Sequence, residues 1–251
     1  MRLLKLTITF VGKEETITLP IQHNHYVQAA LYKLLDPFYA SFLHQHGYTY
    51  EKRQFRLFSF SRLLGKYTMQ PQEGTITFTG PIKLVVLTPL KPVSEGIFNS
   101  FIMGKEFRIA EQKLISTVVE VDHPDVSENE VRVRTLSPIV SYSTMIRPDG
   151  RKFTYYFDPT ESEFARIVAG NLYKKLKAWE PSYSVDEKDF NFTIRPIGHT
   201  KRRVVIYKGT VIKGYSGDFL LQGDPKYLNF ALNVGVGSKG AQGFGAIEMI
   251  K

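Results

Sequence analysis

Twice along these 251 residues the apolar pattern runs through the same series: a strand, a helix, several strands, a second helix and a closing strand. Residues 4–10 alternate, with Leu4, Leu6, Ile8 and Phe10 on one face and Lys5, Thr7 and Thr9 on the other, which is the period of a half-buried strand. Residues 25–35 carry Tyr26, Ala29, Ala30 and Leu34 at helical spacing. Asp36-Pro37 then reads as an N-cap followed by a first-position proline, opening a second short helix to about His44. Period-2 runs follow at 55–60, 75–79 and 83–87. Next comes a helix capped by Ser94, with Ile97, Phe98, Phe101 and Ile102 as its apolar face and Gly104 as its stop. The second half opens with a strand at 131–135. Thr160-Glu161-Ser162-Glu163 reads as a capping box, ahead of a helix striped by Phe164, Ile167, Val168, Leu172 and Leu176. Strands are expected at 190–194, 203–207 and 218–221. Asp224-Pro225 opens the last helix, with Leu228, Ala231 and Leu232 inward and Gly235 ending it. This is the order of the β-α-β-β-α-β unit. The expected fold is α+β: two tandem ferredoxin-like domains, each an antiparallel sheet with two helices on one face. They are expected over residues 1–123 and 124–251, with the acidic, proline-containing stretch 121–130 as the seam.

Composition narrows the function classes. Lysine and arginine outnumber the acids to give a net charge of +9, which favours a polyanionic partner, nucleic acid being the commonest. The absence of cysteine removes disulfides and thiolate metal sites. The six histidines show no HExxH or similar ligand spacing, so neither a metal nor any other cofactor is expected. The opening MRLLKLTITFVGKEE is too short and too alternating for a signal peptide, and no apolar run reaches membrane-spanning length. The expectation is a cytoplasmic protein without a membrane partner.

Three stretches carry candidate chemistry. Within residues 235–251, five glycines and one lysine lie between the last helix and the last strand. Glycine permits positive φ and close backbone approach, and successive amides in such a loop can cradle an anion. The glycines follow a helix and precede the terminal strand, so the dinucleotide fingerprint is ruled out, and no GxxxxGK followed by Ser or Thr is present. Residues 23–62 hold four of the six histidines, and His44 and His46 fall at a helix C-terminus, where the macrodipole favours imidazolium. A histidine so placed can move protons in a reaction or be a plain surface residue. The pairs His23/His25 and His44/His46 lack a carboxylate cluster that would complete a metal site. Last, Lys201, Arg202 and Arg203 read as the basic tip of a hairpin, preceded by Arg195 and followed by Lys208 and Lys213, suited to phosphates or to simple solvation.

Together these residues resemble the CRISPR-associated endoribonucleases of the Cas-six family, within the repeat-associated RAMP superfamily. The terminal Gly235-x-Gly237-x₅-Gly243-Phe244-Gly245 is similar to the family's glycine-rich loop and its GFG ending. Phe42-Leu43-His44 followed by Leu57-Phe58-Ser59-Phe60-Ser61 is similar to its leucine-histidine and phenylalanine-serine pattern. The resemblance implies metal-independent cleavage of CRISPR repeat RNA by 2′-hydroxyl attack on the adjacent phosphate, leaving 2′,3′-cyclic phosphate and 5′-hydroxyl ends. It implies His44 as the proton-transfer group with His46 as the alternative, and Tyr32 as the holder of the nucleophilic hydroxyl. Arg56 falls where some members carry lysine, with Lys52 and Arg53 close by. The loop, through Gly235, Gly237, Lys239, Gly240, Gly243 and Gly245, is expected to pack against the RNA backbone, with Arg195, Lys201, Arg202 and Arg203 as further contacts. The implied partners are precursor and processed guide RNA, with a homodimer and a larger effector complex left open. Because some members bind repeat RNA without cutting it, a catalytically silent RNA binder is the rival reading. An unrelated RRM-like protein is disfavoured because no RNP1-like sequence stands on a central strand.

Overall fold

Alternation in the first strand is borne out in burial: Leu6, Ile8 and Phe10 are fully covered on the helix side of a sheet. The computed structural model describes residues 4–12, 14 and 16–250; the side chain of Leu4 and part of the opening segment read above as lacking a signal peptide lie outside them. The first half comprises β1 (Leu4–Gly12), β2 (Thr16–Pro20), α1 (Asn24–Leu34), α2 (Pro37–Gln45), β3 (Tyr48–Tyr50), β4 (Arg53–Phe55), β5 (Ser59–Phe60), β6 (Leu64–Gln70), β7 (Thr75–Thr88), α3 (Lys91–Ile102), β8 (Phe107–Ile109) and β9 (Gln112–Asp122). Its antiparallel sheet runs β2-β7-β1-β9-β8, with β5 and β6 on the other edge of β7. The second half comprises β10 (Glu130–Thr135), β11 (Tyr142–Ile146), β12 (Lys152–Tyr156), α4 (Ser162–Trp179), β13 (Phe192–Tyr207), β14 (Thr210–Gly223), α5 (Pro225–Val234) and β15 (Ile247–Met249). Its main sheet has the order β13-β14-β10-β15, which is the ferredoxin-like order in which the first and third strands are central. The pair β11-β12 is an added hairpin.

Several local expectations shift. On α1 the buried stripe is Val27, Ala30, Leu31 and Leu34, while Ala29 faces solvent and Tyr26 is half-buried. Ser94 lies inside α3, which starts at Lys91 after Leu90, and its Oγ donates to the Lys91 carbonyl. The turn of α3 that buries Val93 and Ile97 leaves Phe98 and Ile102 exposed. The box before α4 sits two residues earlier than read: Asp158 accepts from the Thr160 amide, and Glu161 accepts from the Asp158 amide. Glu163 instead pairs with Arg166.

The two sheets meet along Val85 and Leu87 of β7 and Leu136 and Ala246 of the second half. Ser137 ties the seam, its Oγ donating to the Phe60 carbonyl at 2.9 Å and accepting from the Ala246 amide at 3.0 Å. This junction brings α1 and β5 against the loop that follows α5.

Candidate functional site

Asp36 caps α2 by accepting from the Phe38 and Tyr39 amides at 3.0 Å each, which fixes the helix whose last turn carries His44. Leu57, a non-glycine residue at φ 51°, breaks the chain between β4 and β5 and turns Phe58 inward. The Tyr32 ring stands edge-on to His44, with centroids 6.1 Å apart, and to Phe58 at 5.8 Å. Arg56 Nη2 donates to the His44 carbonyl at 2.7 Å, satisfying an end-of-helix acceptor and anchoring the guanidinium to the last turn of α2. Burial pushes the Tyr32 phenol above its ordinary value, opposed by the Arg56 guanidinium. Tyr32 is therefore a hydrogen-bond donor near neutral pH and not a base.

The facing wall is the glycine-rich loop. Gly235, Gly237, Gly243 and Gly245 all have positive φ and all are buried. A Cβ on Gly245 would lie 1.9 Å from the Val236 carbonyl oxygen, and one on Gly235 2.4 Å from Ser59 Oγ. The close approaches these glycines permit are thus to protein: the loop crosses itself and packs on β5. From α1, Asn24 Nδ2 donates to the Gln242 carbonyl at 2.9 Å and Gln28 Nε2 to the Ala241 carbonyl at 2.6 Å. Gln28 also accepts from the Tyr207 hydroxyl at the end of β13. What the loop turns toward open space is Ser238–Gln242, with Lys239 in the left-handed region and its ammonium 5.2 Å above the Tyr142 ring.

Between the walls lies a cleft of about 1030 Å³. Arg53, Arg56, Arg166, Lys175, Lys208 and Lys239 line it, and among the described residues no Asp or Glu does. His44, Tyr32, Arg56, Lys239 and Gly240 come together here. His46 caps the C-terminus of α2 and Lys52 sits exposed in the β3–β4 turn; neither lines the cleft. Arg195, Lys201, Arg202 and Arg203 also lie outside it. The basic cluster is not a hairpin tip: it occupies the middle of β13, at an irregularity between Ile197 and Lys201. The tip is Lys208-Gly209, both at positive φ as a two-residue hairpin turn demands, and Lys208 reaches the cleft. Sequence reasoning named Lys208 and Arg53 only as neighbours of other candidates, and it missed Lys175. A Lys-Gly pair closing two alternating runs is a readable signal for Lys208. Lys175 sits in Lys174-Lys175-Leu176-Lys177, which reads as a solvated face.

Among the described residues no group of three or more His, Asp or Glu side chains gathers as a metal site would require, and no helix is long and apolar enough to cross a membrane.

Two tandem ferredoxin-like halves thus face each other across a cleft that the C-terminal glycine-rich loop walls on one side. Residues 121–249 match the family model for the CRISPR-associated protein Cas6, C-terminal. The CRISPR-associated endoribonuclease Cas6 1 of Methanocaldococcus jannaschii is 24% identical over 237 residues, covering 93% of this chain and 88% of its own. A solved structure of a Cas6-related protein from Pyrococcus furiosus superposes with a TM-score of 0.82 at 20% identity, covering 99% of both chains. A RAMP protein described as binding different RNA substrates superposes equally well, TM-score 0.82 at 18% identity, over 99% of this chain and 100% of its own. The chain belongs to the Cas6 family.

Proposed function

We propose that the protein is an endoribonuclease that binds CRISPR repeat RNA and cleaves precursor transcripts by attack of a ribose 2′-hydroxyl on the adjacent phosphorus. The observation that carries this reading is the cleft itself: among the described residues, six cations and no carboxylate line it with His44 and Tyr32. Such a surface repels acidic ligands least and concentrates phosphodiesters most. The naming of the Methanocaldococcus jannaschii relative as an endoribonuclease supports the same reading.

In this reaction the nucleophile belongs to the substrate, so the protein need only orient it, remove one proton, deliver another and stabilise the phosphorane. His44 moves the proton. Tyr32, kept protonated, donates a hydrogen bond to the hydroxyl or to a phosphate oxygen. Arg56 stabilises charge; a guanidinium with a pKa above about 12 does not shuttle protons. The 2′-oxygen forms a bond to phosphorus as the bond to the 5′-oxygen breaks, leaving a 2′,3′-cyclic phosphate and a 5′-hydroxyl.

The test is incubation of end-labelled repeat RNA with the protein in EDTA, alongside the same RNA carrying deoxyribose just upstream of the cut. Cleavage to a cyclic-phosphate end, lost in the deoxy substrate while binding persists, is the expected result. Binding of both RNAs without cutting would return the silent-binder reading, and no binding would overturn the proposal.

A further inference from the structure

Lys175 has no role in the reaction above, yet it is the cleft lysine hardest to explain. It lies in the C-terminal third of α4, 7% exposed, at the cleft floor, and its Nζ donates to the Gly235 carbonyl at 3.0 Å. That neutral oxygen takes one of the three donors of an ammonium. Among the described residues no carboxylate lines the cleft to compensate the charge. Glu51 of the β3–β4 turn is engaged by Lys174, and Glu163 by Arg166. The titratable groups that the neighbouring elements bring to the same cleft are Arg53, Arg56, Tyr32, His44, Lys208, Tyr207, Tyr142 and Lys239, none of them acidic. Burial alone accordingly pushes the Lys175 ammonium down to about 7.

One turn back on the same face, Asn171 also lines the cleft. It is 6% exposed and its Oδ1 is buried without a hydrogen-bond partner. A buried amide oxygen left unpaired is destabilising, so such groups ordinarily have a partner. The two residues thus present opposite needs side by side: spare donors seeking an anion, and a spare acceptor seeking a hydroxyl. A ribonucleotide supplies both within one unit, a phosphate oxygen and a ribose 2′-hydroxyl.

We propose that Lys175 and Asn171 form a ribonucleotide subsite at the cleft floor, Lys175 donating to a backbone phosphate and Asn171 accepting from a 2′-hydroxyl, so that this corner distinguishes RNA from DNA. The subsite deepens the RNA-binding reading and rests on it. A phosphate beside Lys175 restores the charged form, so binding takes up a proton above about pH 7. Affinity then falls as pH rises from 7 to 9, by up to about tenfold per unit.

The experiment measures the affinity of repeat RNA, deoxy only at the cut, and of all-deoxy DNA of the same sequence. Both are titrated over a salt series and at pH 7, 8 and 9 with wild type, Lys175→Met and Asn171→Leu. Lys175→Met is expected to weaken RNA binding about tenfold at pH 7, to lower the salt slope by about one and to flatten the pH dependence. Asn171→Leu is expected to narrow the RNA-over-DNA preference several-fold at an unchanged slope. If both variants keep the wild-type affinity, slope and RNA/DNA ratio, the subsite is overturned while the functional reading stands; if wild type binds no RNA, that reading itself falls. A lysine that serves only to hold Gly235 predicts a lower Tm with unchanged slope, which also overturns the subsite. Should Lys175→Met not fold, proton uptake decides. At pH 8, RNA binding to Lys239→Gln in buffers of differing ionisation enthalpy should consume about one proton, and none would overturn the subsite.

Discussion

His44 and His46 lie at the end of one helix, and their side chains have different surroundings. His44 stands edge-on to Tyr32 with its carbonyl held by Arg56, whereas His46 is the exposed cap residue of α2 outside the cleft. The geometry favours His44 for proton transfer. His44→Ala is expected to slow single-turnover cleavage about 10²-fold or more and His46→Ala to leave it within about threefold; the reverse ranking would move the role to His46. Tyr32 and Arg56 came from the family resemblance, Tyr32 as the family's helix tyrosine and Arg56 by its place just before Leu57-Phe58-Ser59, and both stand next to His44, Tyr32 at its ring and Arg56 at its carbonyl. Lys175 could not be found that way. Its burial is created by the Gly235 carbonyl, 60 residues further along the chain, and by the fold that brings α4 under the loop.

Among the elements, the glycine-rich loop joins chemistry to packing. Its motif was readable from the sequence, but the partner of its close approaches was not: spacing shows that a Cβ is forbidden, and says nothing of what stands in its way. Here the obstacles are Val236, Val140, Ser59 and Phe60. Gly245→Ala must accept both φ 72° and a 1.9 Å clash with a backbone oxygen, whereas Gly150, at φ 80° in the β11–β12 turn, has nothing within 4 Å. The left-handed conformation costs a non-glycine residue roughly 1–2 kcal/mol, and overpacking adds about 1–3 more. In urea unfolding, Gly150→Ala should lose about 1 kcal/mol and Gly245→Ala about 3 kcal/mol or more; equal losses would mean that the loop relaxes freely. The same limit applies to strands. The long alternating runs of β1 and β10 were evident in sequence, while β3, β4 and β8, of three residues each, carry too few alternations to register. The irregularity at Gly198 hid the continuity of β13, so that mid-strand arginines read as a turn.

Across the molecule, two ferredoxin-like units that follow each other in sequence would by default be joined loosely, with a modest polar interface. This pair is bound otherwise. One contiguous apolar core takes in Leu6, Ile8 and Phe60 of the first half together with Val133, Phe164 and Phe219 of the second. At the seam, Ser137 bonds Phe60 and Ala246, the Arg62 amide donates to Leu136, Gln22 accepts from the Ile206 amide, and Lys5 pairs with Glu248 at 3.4 Å. The catalytic reading depends on that union, since α1 and α2 supply His44 and Tyr32 while α4, the β13 tip and the loop supply Lys175, Lys208 and Lys239. Separating the halves would uncover Val85 and Leu87 of β7 and leave the Phe60 carbonyl without its donor, so neither half unfolds at low cost while the other stays folded. Calorimetry should therefore show one transition with equal calorimetric and van't Hoff enthalpies, and residues 1–123 expressed alone should lack cooperative unfolding. Two resolved transitions, or a cooperative isolated N-terminal half, would mean that the cleft is formed by docking of independent domains and is free to open.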